Sequence, residues 1–296
     1  MLITKELWRA VAFAGPLLTV CATAYTQTGS ISDAARAAID QVAVVQQVSL
    51  EPVATGSGSG GASVNFQVKN LSRKTIYAIG YSVTVKYADG STQAAKAHTL
   101  DLLPVYFERI YFEKSLTPGA PRSALAPLLR PGETFADAGM ATSFPLDRSQ
   151  SLPVLAQPTI DMVIFEDGAA LGDPKSIQRI RNSRQSKIDQ ITTLVEDLED
   201  VVKADNPQQA SAARVEDSLA GRLKDKNGNP AGFTIITDSE GKLIDRVDWR
   251  QARVALLTGA LVNTNGDKNR INVRIAKNEQ YLQMLKAQPV ITEVVQ

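Results

Sequence analysis

Ala62-Ser63-Val64-Asn65-Phe66-Gln67-Val68-Lys69 decides the first half of this chain. Apolar and polar residues alternate there with period two, the pattern of a strand with one buried face. Asn70-Leu71-Ser72-Arg73-Lys74 then turns the chain. A longer strand follows, marked by Ile76, Ala78, Tyr81, Val83 and Val85 and reaching Tyr87, and Ala88-Asp89-Gly90-Ser91 closes it with hairpin chemistry, because Asp-Gly tolerates positive φ. Upstream, Val42 to Val53 is rich in β-branched residues, and Gly56-Ser57-Gly58-Ser59-Gly60-Gly61 reads as a flexible connection. Downstream, Pro131-Gly132-Glu133 is a turn into Thr134–Met140. Ile160, Met162 and Ile164 alternate before the turn at Glu166-Asp167-Gly168. Short strands at this spacing predict a Greek-key β-sandwich of about seven strands over 25–173.

The turn after Val68, the Tyr87-Ala88-Asp89-Gly90 corner, the Leu129-to-Glu133 stretch and Val163-Ile164-Phe165-Glu166-Asp167-Gly168 resemble strand boundaries of immunoglobulin-like domains in exported bacterial proteins. The resemblance spans some 40% of the chain and implies that fold, with no catalytic residue attached.

The period changes at Asp173. That residue is a good N-cap with Pro174 at the first helical position, and Ile177, Ile180, Ile188, Ile191, Val195, Leu198 and Val202 recur at threes and fours. The spacing predicts one long helix over 174–204. Asn206-Pro207 repeats the start signal for a second helix, Gln208 to Lys226, with a thin apolar face. A small hairpin is expected at about 233–247, a third helix from Asp248, and a last helix from Asp267 to Ala287, with Pro289-Val290-Ile291-Thr292 a tail or an added strand. The predicted class is therefore α+β: an immunoglobulin-like antiparallel sandwich (25–173), then an α-helical domain (174–296) carrying the hairpin.

The N-terminus reads as a signal peptide over residues 1–24. Lys5 and Arg9 precede an apolar run from Ala10 to Val20, and Ala22-Thr23-Ala24 offers small residues before a cut at Tyr25. That run is about half the roughly 20 residues a spanning helix needs. Processing at Cys21, with retention as a lipid anchor, is the alternative, and Val20 fits it poorly. Cys21 is the sole cysteine, so a chain starting at Tyr25 has none, and disulfides, cysteine nucleophiles and thiolate zinc sites fall away. The whole chain carries 32 Lys+Arg and 31 Asp+Glu; without Lys5, Glu6 and Arg9 there are 30 of each. A neutral chain has no electrostatic footprint for nucleic acid or an anionic membrane surface.

Candidate chemistry is sparse. His98 is the one histidine and sits in a strand-like run, so it reads as a packed or surface residue rather than a triad base. Glu108 and Glu113 lie in Val105-Tyr106-Phe107-Glu108-Arg109-Ile110-Tyr111-Phe112-Glu113. As a strand it would mix aromatic and charged groups on both faces, giving an edge strand or an interface through Tyr106, Phe107, Glu108, Arg109, Tyr111 and Phe112. Asp225-Lys226-Asn227-Gly228-Asn229 and Asn263-Thr264-Asn265-Gly266-Asp267 resemble calcium-loop fragments, but their glycine and acid spacings suit turns better. The acids Glu196, Asp197, Glu199 and Asp200 crowd the end of the long helix, where the helix dipole disfavours them; a solvated face or a basic partner would relieve this. Asn70-Leu71-Ser72 matches a glycosylation sequon that a hairpin turn also explains. No metal, cofactor or catalytic residue is assigned. The expected role is an exported cell-envelope or secreted (periplasmic or extracellular) binding or structural protein with an envelope partner or itself. The alternatives are a secreted hydrolase with an unlocated carboxylate pair, or a protein that self-associates through the 174–204 helix.

Overall fold

The computed structural model describes residues 31–54, 60–94, 98–104, 128–135, 142–145, 153–222, 233–237, 243–261 and 264–294. The signal segment 1–24 and the aromatic stretch 105–113 lie outside them.

The first element among the described residues is one the strand pattern concealed. Ser32 accepts from the Ala35 amide and caps α1 (Asp33–Val42), which buries Ile39. The chain passes directly into β1 (Ala43–Ala54), which pairs antiparallel with β2 (Gly60–Asn70). Gly60 and Gly61, expected in a flexible run, are part of that ladder, opposite Ala54 and Val53. β6 (Thr134–Phe135) and β7 (Thr142–Pro145) share the other edge of β2 and complete a four-stranded sheet. A larger sheet is built on the long pair β3 (Ile76–Tyr87) and β8 (Pro153–Phe165). β4 (Thr92–Ala94) and β5 (His98–Asp101) flank β3, and β9 (Ala169–Gly172) flanks β8.

Helices follow: α2 (Pro174–Lys203), capped by Asp173, and α3 (Pro207–Leu219), capped by Asn206. The antiparallel hairpin β10 (Phe233–Thr237) and β11 (Leu243–Asp248) precedes α4 (Arg250–Leu261) and α5 (Lys268–Lys286). The last strand, β12 (Thr292–Glu293), returns to the larger sheet and lies parallel to β9. Helical boundaries thus follow the cap-and-proline signals closely at their starts, while α3 is shorter than its pattern suggested.

Two expectations are corrected here. The fold is not an immunoglobulin-like sandwich, and strands and helices do not segregate into an N-terminal β half and a C-terminal helical half. The two sheets do share a core, in which Val64, Phe66 and Val68 of β2 meet Ile79, Tyr81, Val83 and Val85 of β3, with Ile39 of α1 added. Both sheets nevertheless stay open. An immunoglobulin-like domain keeps polar residues on its outer faces. Here the far face of the larger sheet is apolar: Ala78, Met162, Ile164 and Ala170 are buried beneath Ile177 and Ile180 of α2 and Ile291 from the chain's end. Among the described residues, helix α1 precedes the first strand, and the last strand follows every helix. The period-two pattern identified strands correctly; it could not reveal that β3 and β8 are covered on both sides.

Beyond the sheet, α2 continues into the helical layer. Ile191 packs on Tyr281 and Leu285 of α5, with Ile188 partly buried beside them. Leu194, Leu198 and Val201 meet Leu257, Ala260 and Leu261 of α4 and Ile271 of α5. The apolar stripe of the long helix is therefore covered from within the chain.

Candidate functional site

The described residues that combine ionisable groups with unusual backbone converge where α1, β3, β8 and the start of α2 meet. Gly80 pairs with Met162 and Tyr81 with Ile160, which leaves Asp161 as the extra residue of a β-bulge. Bulges of this kind re-aim a side chain and recur beside functional sites. The Asp161 carbonyl accepts from the Asp173 amide at 2.9 Å. Gly172, at φ +115°, permits that approach, because a Cβ there would stand 2.1 Å from the same oxygen. The Asp161 carboxylate meets Arg36 Nη2 of α1 at 3.1 Å, and Nη1 of the same arginine donates to the Ile160 carbonyl.

Burial lifts the Asp161 carboxyl above the ordinary aspartate range. Hydrogen bonds from Ser82 and Arg36 oppose that rise, while the nearby negative charge of Asp173 adds to it. Asp173 accepts from the Ser176 amide at 3.0 Å and the Ser176 hydroxyl at 2.7 Å, with Arg179 Nη2 3.9 Å away. Two carboxylates with one pushed toward its neutral form is an arrangement that acid–base chemistry uses. In this molecule each already holds partners that join elements: Asp161 ties α1 to the sheet, and Asp173 starts α2.

Two further ion pairs do the same elsewhere. Arg184 of α2 grips Asp101 of β5 through Nε at 2.6 Å and Nη2 at 3.0 Å, and their side chains are 10% and 9% exposed. In the helical layer, Arg253 of α4 donates through Nε and Nη2 to Asp197 at 2.8–3.1 Å. Arg214 of α3 joins Asp197 at 3.2 Å and also pairs with Asp200. Burial pushes the Asp197 carboxyl upward against the pull of Arg253 and Arg214. The acidic cluster at the end of the long helix thus finds its basic partners on α3 and α4, and Lys203 pairs with Glu199. The sequence exposed the acids but could not assign arginines so far along the chain to them.

His98 lies on β5 and stacks on Tyr81, ring centroids 5.3 Å apart, and Tyr81 meets Phe66 edge-on at 5.0 Å. Burial first, then the positive charge of Arg179, lowers the imidazole's pKa, so it is a neutral packing residue near pH 7. Glu166 and Asp167 are exposed in the β8–β9 turn, where Asp167 pairs with Lys74 and accepts from the Ala169 amide. Thr264 to Asp267 form a turn in which Asp267 caps α5. Gly266 makes room for the backbone of Gln208. The other calcium-like fragment, from Asp225, lies outside the described residues, as do Tyr106, Phe107, Glu108, Arg109, Tyr111, Phe112 and Glu113. Asn70 is fully buried. Its Nδ2 donates to the Lys74 and Leu129 carbonyls, each at 2.8 Å, and its Oδ1 accepts from the Ser72 amide and hydroxyl. An amide so engaged is a structural hub rather than a sugar acceptor. Among the described residues, no helix is long and apolar enough to cross a membrane.

No family model matches the chain, and no curated protein matches it. A crystal structure of a hypothetical protein from Peptoclostridium difficile 630 is similar at 12% identity over 47% of this chain and 90% of that one, with a TM-score of 0.22. A likeness that slight carries no argument about fold or function.

Proposed function

We propose that this chain is an exported binding or structural protein of the cell envelope or the secreted fraction, without catalytic turnover. The observation that carries the reading is the use made of its buried and half-buried carboxylates. Asp101, Asp161 and Asp197 each engage an arginine from another element, so that ion pairs fasten helix to sheet and helix to helix. Export rests on the residues before Tyr25, and a neutral chain beyond that point favours a protein partner over a nucleic acid.

A second reading, a secreted hydrolase, draws support from one observation: the raised Asp161 carboxyl beside Asp173. The purified chain and its Asp161→Asn variant, assayed on chromogenic glycosides and esters, separate the two. The binding role predicts background rates for both proteins. Turnover by the parent that is lost in the variant overturns it. N-terminal sequencing of the cell-produced protein should begin at Tyr25; retention of residues 1–24, or a lipidated Cys21, overturns the processing step.

A further inference from the structure

The end of the chain is fastened to the larger sheet by few contacts, and each of them can be made equally well by another molecule. β12 meets β9 over two residue pairs, Thr292 with Ala169 and Glu293 with Ala170. The Thr292 amide donates to the Gly168 carbonyl at 2.9 Å and the Val294 amide to the Ala170 carbonyl at 3.0 Å. Ile291 fills a socket formed by Ile164, Ala170, Ile177 and Ile180. Arg181 of α2 reads the strap twice, donating to the Ile291 carbonyl at 2.9 Å and to the Glu293 carboxylate at 3.0 Å. Gly168 leaves space for it, since a Cβ there would lie 2.4 Å from the Val290 carbonyl.

We propose that this groove is a strand-exchange site, in which residues 289–294 of a second copy of the chain replace the protein's own to give a reciprocal dimer. Exchange of an identical element between protomers needs no new contact chemistry. The groove already selects this segment by shape, through Ile291, and by charge, through the Arg181–Glu293 pair. The hinge also favours release. Both polar atoms of the Gln288 side-chain amide are buried without a hydrogen-bond partner among the described residues, and lifting the strap returns them to water. Val290, at the pivot, is 85% exposed, so its side chain adds little to the seat. This inference is independent of export and of the binding role proposed above.

The chain's own tail competes at an effective concentration of about millimolar, so the parent protein stays monomeric at micromolar concentration. A complementation experiment removes that competition. In the full chain, Ile291→Asp spoils the tail and spares the groove, while Arg181→Glu weakens the groove and spares the tail. Circular dichroism first establishes that both variants keep the fold. Each alone is expected to sediment as a monomer at tens of micromolar, and their equimolar mixture as a 1:1 dimer held by one half of the exchange, the strap of the Arg181→Glu chain seated in the groove of the Ile291→Asp chain. A mixture that remains monomeric overturns the proposal. If Arg181→Glu loses its fold, a labelled peptide of residues 287–296 takes its place. Binding to the Ile291→Asp chain at least tenfold tighter than to the parent supports exchange; equal affinity, or none, overturns it.

Discussion

Asn70 concentrates more structure in one side chain than any motif in the sequence announced. It joins the end of β2 to the Lys74 turn and to Leu129, with every polar atom of its amide engaged. Asn70→Ala removes four hydrogen bonds at a fully buried position and strips the Ser72 amide of its acceptor, while the Leu129 and Lys74 carbonyls keep Ile76 and Ser72 as donors, so a loss of about 2–3 kcal/mol is expected from urea unfolding. Gln47 predicts the opposite sign. It stands at φ +48° in a bulge of β1, where two residues oppose one on β2, a place that glycine occupies without strain. Gln47→Gly should therefore stabilise the protein by about 0.5–1 kcal/mol, again read from the urea midpoint. His98 supplies a pH dependence. Its folded-state pKa lies below 6.5, so the unfolded chain takes up a proton first as the solution is acidified. Its stabilisation is present above pH 6.5 and is lost as pH falls through the folded value. The urea midpoint should decline below pH 6.5, and His98→Gln should remove that part of the decline. The sequence correctly placed His98 in a strand; the stack on Tyr81 and the charge of Arg179 come from residues that alternation alone cannot bring together.

At the scale of elements, local signals were read well and long-range ones were not. Asp173-Pro174 and Asn206-Pro207 begin helices where cap chemistry requires, and Asp89-Gly90 turns the chain where positive φ is needed, with Gly90 at +84°. Helix α1 was missed because its ten residues run without a break into a β-branched strand; its one-sided apolar pattern around Ile39, behind the Ser32 cap, was a signal that could have found it. The resemblance to immunoglobulin-like domains rested on turn residues, which many antiparallel folds share. Nothing in those turns records that α2 lies against the far face of the sheet. That contact is held by the Arg184–Asp101 pair, and it offers a further prediction. Arg184→Met strands a buried carboxylate and should cost about 3–5 kcal/mol, while Asp101→Leu combined with Arg184→Met should recover much of that loss. A double-mutant cycle by thermal unfolding measures the coupling.

For the whole molecule, the layers depend on one another. The larger sheet has a core on each face, one shared with the smaller sheet and α1, the other with α2 and Ile291. A fragment ending at residue 173 leaves Ala78, Met162, Ile164 and Ala170 uncovered, and is expected to aggregate or bind a hydrophobic dye. A well-dispersed amide spectrum from that fragment would contradict this. The same packing bears on the long helix. Its stripe of isoleucines looked available for self-association, yet Ile191 is only 1% exposed beneath Tyr281 and Leu285, so charging it unfolds the helical layer rather than parting two molecules.

The strap at the chain's end has a consequence in time as well as space. β9 is complete once Gly172 has been made, but its outer neighbour, Thr292, is made about 120 residues later. At ordinary rates of synthesis that interval is roughly 6–24 s. Throughout it the nascent sheet carries a bare edge and an empty isoleucine socket, so this side of the sheet is finished only after all the helices between the two strands have been made.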